Sequence, residues 1–140
     1  GGIINMIRKS SEQDFFVFNP DTLWSHDYLE SVIKMENFYI QKKIGNILLV
    51  VNKKLSFDKT LNGDFELVSN KIKKNSNNRY IYTGCQIVNK NLFSSINKKI
   101  FSINEVWNDQ IKKNILYGFE TKNKFFHVSN IEVYNKLLKY

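Results

Sequence analysis

One carboxylate stands out by position. Asp21 follows the apolar run Phe15-Phe16-Val17-Phe18 and the pair Asn19-Pro20, so it lies just past the carboxyl end of a strand. Open α/β sheets place their ligands at that end. A carboxylate there can hold Mg²⁺ through one or two oxygens while water and phosphate supply the other ligands. The same residue can equally do no more than cap the turn. Thr83-Gly84 lies within a strand-like run, where glycine lets a ligand or another backbone come close. Trp24 and Tyr28 carry rings that can stack on a base or pack into the core. Asp64, after Gly63, reads as a turn residue on local sequence.

Other chemistries find no support. The chain has no Gly-x-Ser-x-Gly elbow, no His-Glu-x-x-His and no Walker loop. His26 and His127 are far apart, and neither has a second imidazole at ligand spacing. The single cysteine, Cys85, excludes a disulfide framework and a cysteine-rich zinc site. Its place in mid-strand points to an inert buried thiol. No side chain is expected to act as a catalytic nucleophile.

The elements that must position these residues follow from periodicity. Ile3, Ile4 and Ile7 are at helical spacing, so the first nine residues read as helix. Residues 15–19 and 47–51 are short runs apolar on both faces, a pattern typical of buried parallel strands. Between them, Asp27 and Glu30 resemble a capping box, and Leu29, Val32, Ile33 and Tyr39 line one face of a helix reaching about Ile40, which Gly45 breaks. This makes a strand–helix–strand unit. Residues 64–68 and 71–73 alternate around Ser69-Asn70 as a hairpin, and residues 80–88 form a third strong strand. Ser102-Ile103-Asn104-Glu105 is a capping box opening a helix through Val106, Trp107 and Ile111. Residues 115–120 and 124–128 read as paired strands. Ser129 to Glu132 caps a closing helix with Ile131, Tyr134, Leu137 and Leu138 on one face. The class is α/β with a mixed sheet in a single domain over residues 1–140.

With 42% hydrophobic and 14% aromatic residues the chain can bury a core, which argues against disorder. No run approaches the roughly 18 apolar residues of a membrane span, and no basic region followed by an apolar stretch opens the chain. A cytoplasmic, reducing location is expected. Lys plus Arg is 21 against 13 Asp plus Glu, a net charge of +8. The excess arrives as scattered doublets, Lys42-Lys43, Lys53-Lys54, Lys73-Lys74, Lys98-Lys99 and Lys112-Lys113, with only Arg8 and Arg79 as arginines. Arginine is the residue that reads guanine edges and grips phosphate bidentately. Nucleic acid is therefore not the expected partner, although attraction to nucleotides and phosphorylated ligands is.

The order of motifs resembles the sugar-1-phosphate nucleotidyltransferases, in particular the mannose-1-phosphate guanylyltransferase and N-acetylmuramate-1-phosphate uridylyltransferase branch. Gly1-Gly2-Ile3 resembles the end of that family's Thr-Gly-Gly-Gly segment, and Phe16-Val17-Phe18-Asn19-Pro20-Asp21 its strand ending in Asn-x-Asp, with Trp24 beyond. Asn46 to Val51, Gly63-Asp64-Phe65, Tyr82-Thr83-Gly84-Cys85-Gln86-Ile87 and Phe101 to Trp107 follow in the family's order. Leu116-Tyr117-Gly118-Phe119 and Phe125-Phe126-His127-Val128 complete it.

The resemblance implies a partial Rossmann-like nucleotidyltransferase fold: a mixed, mostly parallel sheet flanked by helices, with a β-hairpin insertion. It implies transfer of a nucleoside monophosphate from a nucleoside triphosphate to a sugar 1-phosphate, with release of pyrophosphate and with Mg²⁺ as cofactor. Asp21 would be the metal carboxylate. Gly1 and Gly2 would lie beside the nucleobase, and Thr83, Gly84 and Asp64 near the sugar phosphate. His127 stands where many relatives carry a second metal Asp, and would contact metal or phosphate. The family's amino-terminal strand and its Gly-rich, Arg/Lys-bearing loop have no counterpart in these residues. The 140 residues are therefore expected to be a truncated enzyme, inactive alone. An exposed strand edge or apolar face is expected to drive homo-oligomerisation. GTP and UTP both remain open as donors, as does the sugar. The alternative is a non-catalytic basic α/β module that binds nucleotides, nucleic acid or a protein.

Overall fold

The computed structural model describes Ile7 and residues 9–94 and 102–140. Gly1, Gly2 and most of the expected amino-terminal helix lie outside the described residues, as do Lys98-Lys99 and Phe101. The strands are β1 (Asp14–Phe18), β2 (Asn46–Asn52), β3 (Glu66–Val68), β4 (Lys71–Lys73), β5 (Tyr80–Asn89) and β6 (Tyr117–Thr121). The α-helices are α1 (Tyr28–Lys42), α2 (Ile103–Lys112) and α3 (Ile131–Leu137). The strands form one six-stranded sheet in the order β1-β5-β2-β6-β4-β3.

β2 organises the interior. Ile47, Leu48, Leu49, Val50 and Val51 are all fully buried. Because strand side chains alternate, Ile47 and Leu49 join Tyr28, Met35, Tyr39 and Cys85 in one cluster, while Leu48 and Val50 join Phe65, Ile72, Trp107 and Leu116 in another. Helices cover both faces, so the run is continuously apolar. Each such side chain contributes roughly 1.5–3 kcal/mol relative to exposure.

The α/β class and the mixed sheet are as expected, but the mostly parallel arrangement is corrected. Among the strands of the described residues only β2 and β6 pair in parallel, and β1–β5, β2–β5, β4–β6 and β3–β4 are antiparallel. An apolar run reports burial of both faces and says nothing of strand direction. The 64–68/71–73 hairpin forms, with Ser69 and Asn70 at positive φ in its turn (49° and 61°). The expected pairing of 124–128 with 115–120 does not form. Both edges of β6 are already occupied, by β2 and β4, so Phe125 and His127 instead make single bridges to Ser56 and Thr22.

The helix faces also differ from the pattern reading. α1 buries Tyr28, Met35 and Tyr39, whereas Leu29 and Ile33 are about half exposed. In α3 only Val133 is buried, and Ile131, Tyr134 and Leu138 face outward. Asp27 precedes α1 without a side-chain capping bond, and Glu30 pairs with Lys34. Left-handed Lys43 ends that helix, ahead of Gly45. At α2, Ser102 Oγ accepts the Asn104 N–H; at α3 the cap is Asn130, one residue later than expected, accepting the Val133 N–H.

Candidate functional site

Asp21 and Thr83-Gly84, 62 and more residues apart in sequence, meet at one place. Antiparallel pairing sets Phe18 opposite Cys85, so the chain leaving β1 crosses the middle of β5. The Asn19 N–H donates to Gly84 O at 2.8 Å, and the Thr22 hydroxyl donates to Thr83 O at 2.8 Å. Thr83 in turn donates its hydroxyl to Leu49 O at 2.9 Å, tying the site to β2. Thr22 and Thr83 are buried, so these bonds satisfy groups that water cannot reach.

Gly84 has a steric reason to be glycine. Its φ is +91°, and a Cβ there would lie 2.7 Å from Asn19 Cβ and 3.3 Å from Thr22 Oγ1. Thr83-Gly84 thus lets the Asp21 turn sit directly on β5. The close approach that glycine in a strand suggested is, in the first instance, an approach of backbone to backbone.

The segment carrying His127 closes the other side. Thr22 bridges His127, and the Val128 N–H donates to Asp21 O at 2.8 Å. His127 Nδ1 lies 3.8 Å from Asp21 Oδ1, with 25% of the imidazole and 48% of the carboxylate side chain exposed. A neutral imidazole at that separation makes no strong bond, and the protonated form would be an ion pair. His127 stacks on Phe125 at 5.9 Å with 4° between the rings, which fixes its plane.

Asp64 reaches the same region from the loop before β3. Its Oδ2 accepts the Tyr82 N–H at 2.9 Å. Desolvation pushes its carboxyl above the ordinary range, against the lowering effects of that N–H and of the charges of Lys74 and His127. Gly63 permits the loop, since a Cβ would come within 2.2 Å of Asn78 O. Asp64 borders a cavity of about 550 Å³ lined also by Lys74, Asn78, Tyr82, Asn104, Trp107 and Asn108. The Tyr82 hydroxyl is buried without a hydrogen-bond partner. Its pKa is pushed far up, chiefly by burial and then by Cys85 and Asp21. The bond to the Tyr82 N–H places Asp64 one residue along β5 from Thr83.

The expected Asp21, Thr83, Gly84, His127 and Asp64 come together; Gly1 and Gly2 lie outside the described residues. The functions of Lys74, Tyr82, Asn104 and Asn108 as cavity lining were not read from the sequence, because α2 and the loop before β5 are joined only by the fold. Tyr82, two positions from Gly84 on the same strand face, was the one findable from alternation. Cys85 is fully buried, and burial raises its thiol to about 12, an inert group.

Among the described residues no group of three or more His, Cys, Asp or Glu gathers as a metal site. The donor set fits Mg²⁺ only in its sparse form. Asp21 offers one half-exposed carboxylate with room for water, whereas the imidazole of His127 suits a hard cation poorly. No described helix is long and apolar enough to cross a membrane.

The fold is that of the sugar-1-phosphate nucleotidyltransferases. HddC from Yersinia pseudotuberculosis, in complex with GMP-PN, superposes with a TM-score of 0.72 at 20% identity, over 98% of this chain and 59% of that one. The inositol-1-phosphate CTP transferase from T. maritima gives 0.70 at 17% identity, over 98% and 60%. A UDP-glucose pyrophosphorylase complexed with UDP-glucose gives 0.69 at 18%, again over 98% and 60%. The chain therefore spans about 60% of the length of these structures. No protein-family profile and no curated protein sequence matches it.

Proposed function

We propose that these 140 residues form the sugar-phosphate side of a sugar-1-phosphate nucleotidyltransferase acting in the cytoplasm. The observation that carries this reading is the meeting of Asp21, His127 and Thr83-Gly84 where the chain leaving β1 crosses β5, with Asp64 bonded to the N–H of the adjoining Tyr82. In such an enzyme an oxygen of the sugar 1-phosphate attacks the α-phosphorus of a nucleoside triphosphate. The bond to the β-phosphate breaks, and pyrophosphate leaves. This chemistry rests on positioning and charge neutralisation, so it needs no side-chain nucleophile. Asp21 would hold Mg²⁺, which when bound screens phosphate charge. His127 beside it contacts the metal or the phosphate. Thr83, Gly84 and Asp64 border the sugar phosphate, and Gly1 and Gly2 the nucleobase.

The doublets Lys42-Lys43, Lys53-Lys54, Lys73-Lys74 and Lys112-Lys113 sit at the ends of separate elements, which favours this reading over a basic nucleic-acid module. The 140 residues carry no Gly-rich, Arg/Lys-bearing phosphate loop, and we propose that alone they release no pyrophosphate from a nucleoside triphosphate and a sugar 1-phosphate. They should nonetheless bind a sugar 1-phosphate. Calorimetric titration with a panel of sugar 1-phosphates and Mg²⁺ tests this. Saturable binding, weakened at least tenfold by Asp21→Asn, supports the reading; heats indistinguishable between the two proteins overturn it. We also propose self-association. β1 pairs on one edge only among the described residues, and Phe16 and Phe18 on it are 40% and 47% exposed.

A further inference from the structure

A second cavity shares no residue with the one that Asp64 borders. It lies where the turn after β2 docks on the segment after β6: the Phe57 N–H donates to Phe125 O at 2.8 Å, and the Phe125 N–H to Leu55 O at 3.0 Å. Its volume is about 270 Å³. Three rings line it and touch one another: Phe57 and Phe126 at 5.7 Å, Phe57 and Tyr140 at 5.3 Å, Phe126 and Tyr140 at 5.5 Å. Three lysines, Lys54, Lys59 and Lys124, line it too, and no lining side chain is acidic. Lys59 Nζ donates to Lys54 O at 2.9 Å and Lys124 Nζ to the Tyr140 hydroxyl at 2.8 Å. Both acceptors are neutral. Among the described residues no carboxylate lies within ion-pair distance of the three. Ser56, also in the lining, has a buried hydroxyl without a hydrogen-bond partner.

Aromatic walls edged by three lysine side chains define a ligand with both properties. The rings reward burial of a flat hydrocarbon surface. The exposed lysine ammoniums at its edge reward an anion and penalise a cation. A cavity of about 150 Å³ already accepts benzene, so this one has room for a ring and a charged substituent. We propose that this cavity binds a small aromatic anion, a planar ring bearing a phosphate, sulfonate or carboxylate, at a site separate from the sugar-phosphate cleft.

The test uses the ¹⁵N-labelled 140-residue chain titrated with 1-naphthyl phosphate, with 1-naphthol and with inorganic phosphate, followed by amide chemical shifts. Naphthyl phosphate is expected to move the amides of Lys54, Phe57, Phe126 and Tyr140 saturably, with at least fivefold weaker binding of naphthol and of phosphate. The pair Lys54→Met and Lys124→Met is expected to weaken naphthyl phosphate at least fivefold with an unchanged melting temperature. Phe57→Leu, which keeps an apolar side chain, is expected to weaken naphthyl phosphate and naphthol alike. Equal affinity for naphthol or for phosphate overturns the proposal. So does the absence of saturable shifts at these amides, or their appearance only around Asp21 and Asp64 or around Phe16 and Phe18.

Discussion

Gly84→Ala probes the joint on which the site depends. At φ +91° an alanine carries a backbone penalty of about 1–2 kcal/mol. The new methyl would stand 2.7 Å from Asn19 Cβ, well inside contact distance, and the obstruction is a short side chain whose own backbone is pinned by its N–H to Gly84 O. Forcing a methyl into packed surroundings costs about 1–3 kcal/mol more. The sum, roughly 2–5 kcal/mol, is a large part of the 5–15 kcal/mol of a typical domain, and corresponds to a melting point lower by about 8–20 °C. Gly45→Ala is the control. Nothing lies within 4 Å of a Cβ there and its φ is not positive, so the change should be neutral or stabilising by up to about 1 kcal/mol. Circular-dichroism melts and urea titrations of the two variants provide the comparison. A Gly84→Ala protein within about 0.5 kcal/mol of wild type would refute the packing of the Asp21 turn on β5.

Three further outcomes follow. Thr22→Val leaves the buried Thr83 carbonyl without its 2.8 Å donor and should destabilise by about 1–3 kcal/mol in urea unfolding. Asp64 has a folded pKa above its unfolded one, so its ionisation opposes folding. Its contribution is most favourable below the unfolded value near 3.9 and is lost as pH rises through the folded value. Asp64→Asn should therefore melt above wild type at neutral pH, with the gap closing below about pH 4, and a gap independent of pH would contradict the assignment. Replacing Phe16 and Phe18 by Thr should shift the protein toward monomer in light scattering over a dilution series, and the wild-type melting temperature should rise with protein concentration where the variant's does not, since both rings are substantially exposed.

Strands with strong local patterns were legible in the sequence. Residues 47–51 and 80–88 emerged within a residue or two, because Ile47 to Val51 are apolar for the simple reason that both faces are covered. The 64–73 hairpin was legible from its Ser-Asn turn. Strand direction was not, since parallel and antiparallel neighbours place the same burial demand on Leu48 or Leu49. Helix faces failed where apolar residues occur all round: Leu29 and Ile33 looked as buriable as Tyr28 and Met35, and only the position of the sheet decides between them. Of the site, Asp21 and Thr83-Gly84 were visible as local anomalies. Lys74, Asn104 and Asn108 carry no such signal, because they become neighbours only when α2 and the loop before β5 are brought over Tyr82.

The most direct measurement is a crystal structure of the chain with a sugar 1-phosphate and Mg²⁺. The proposed function places the phosphate against a cation held by Asp21, and the sugar along Thr83-Gly84 toward Asp64. A sugar phosphate bound elsewhere on the molecule, away from Asp21, would contradict it.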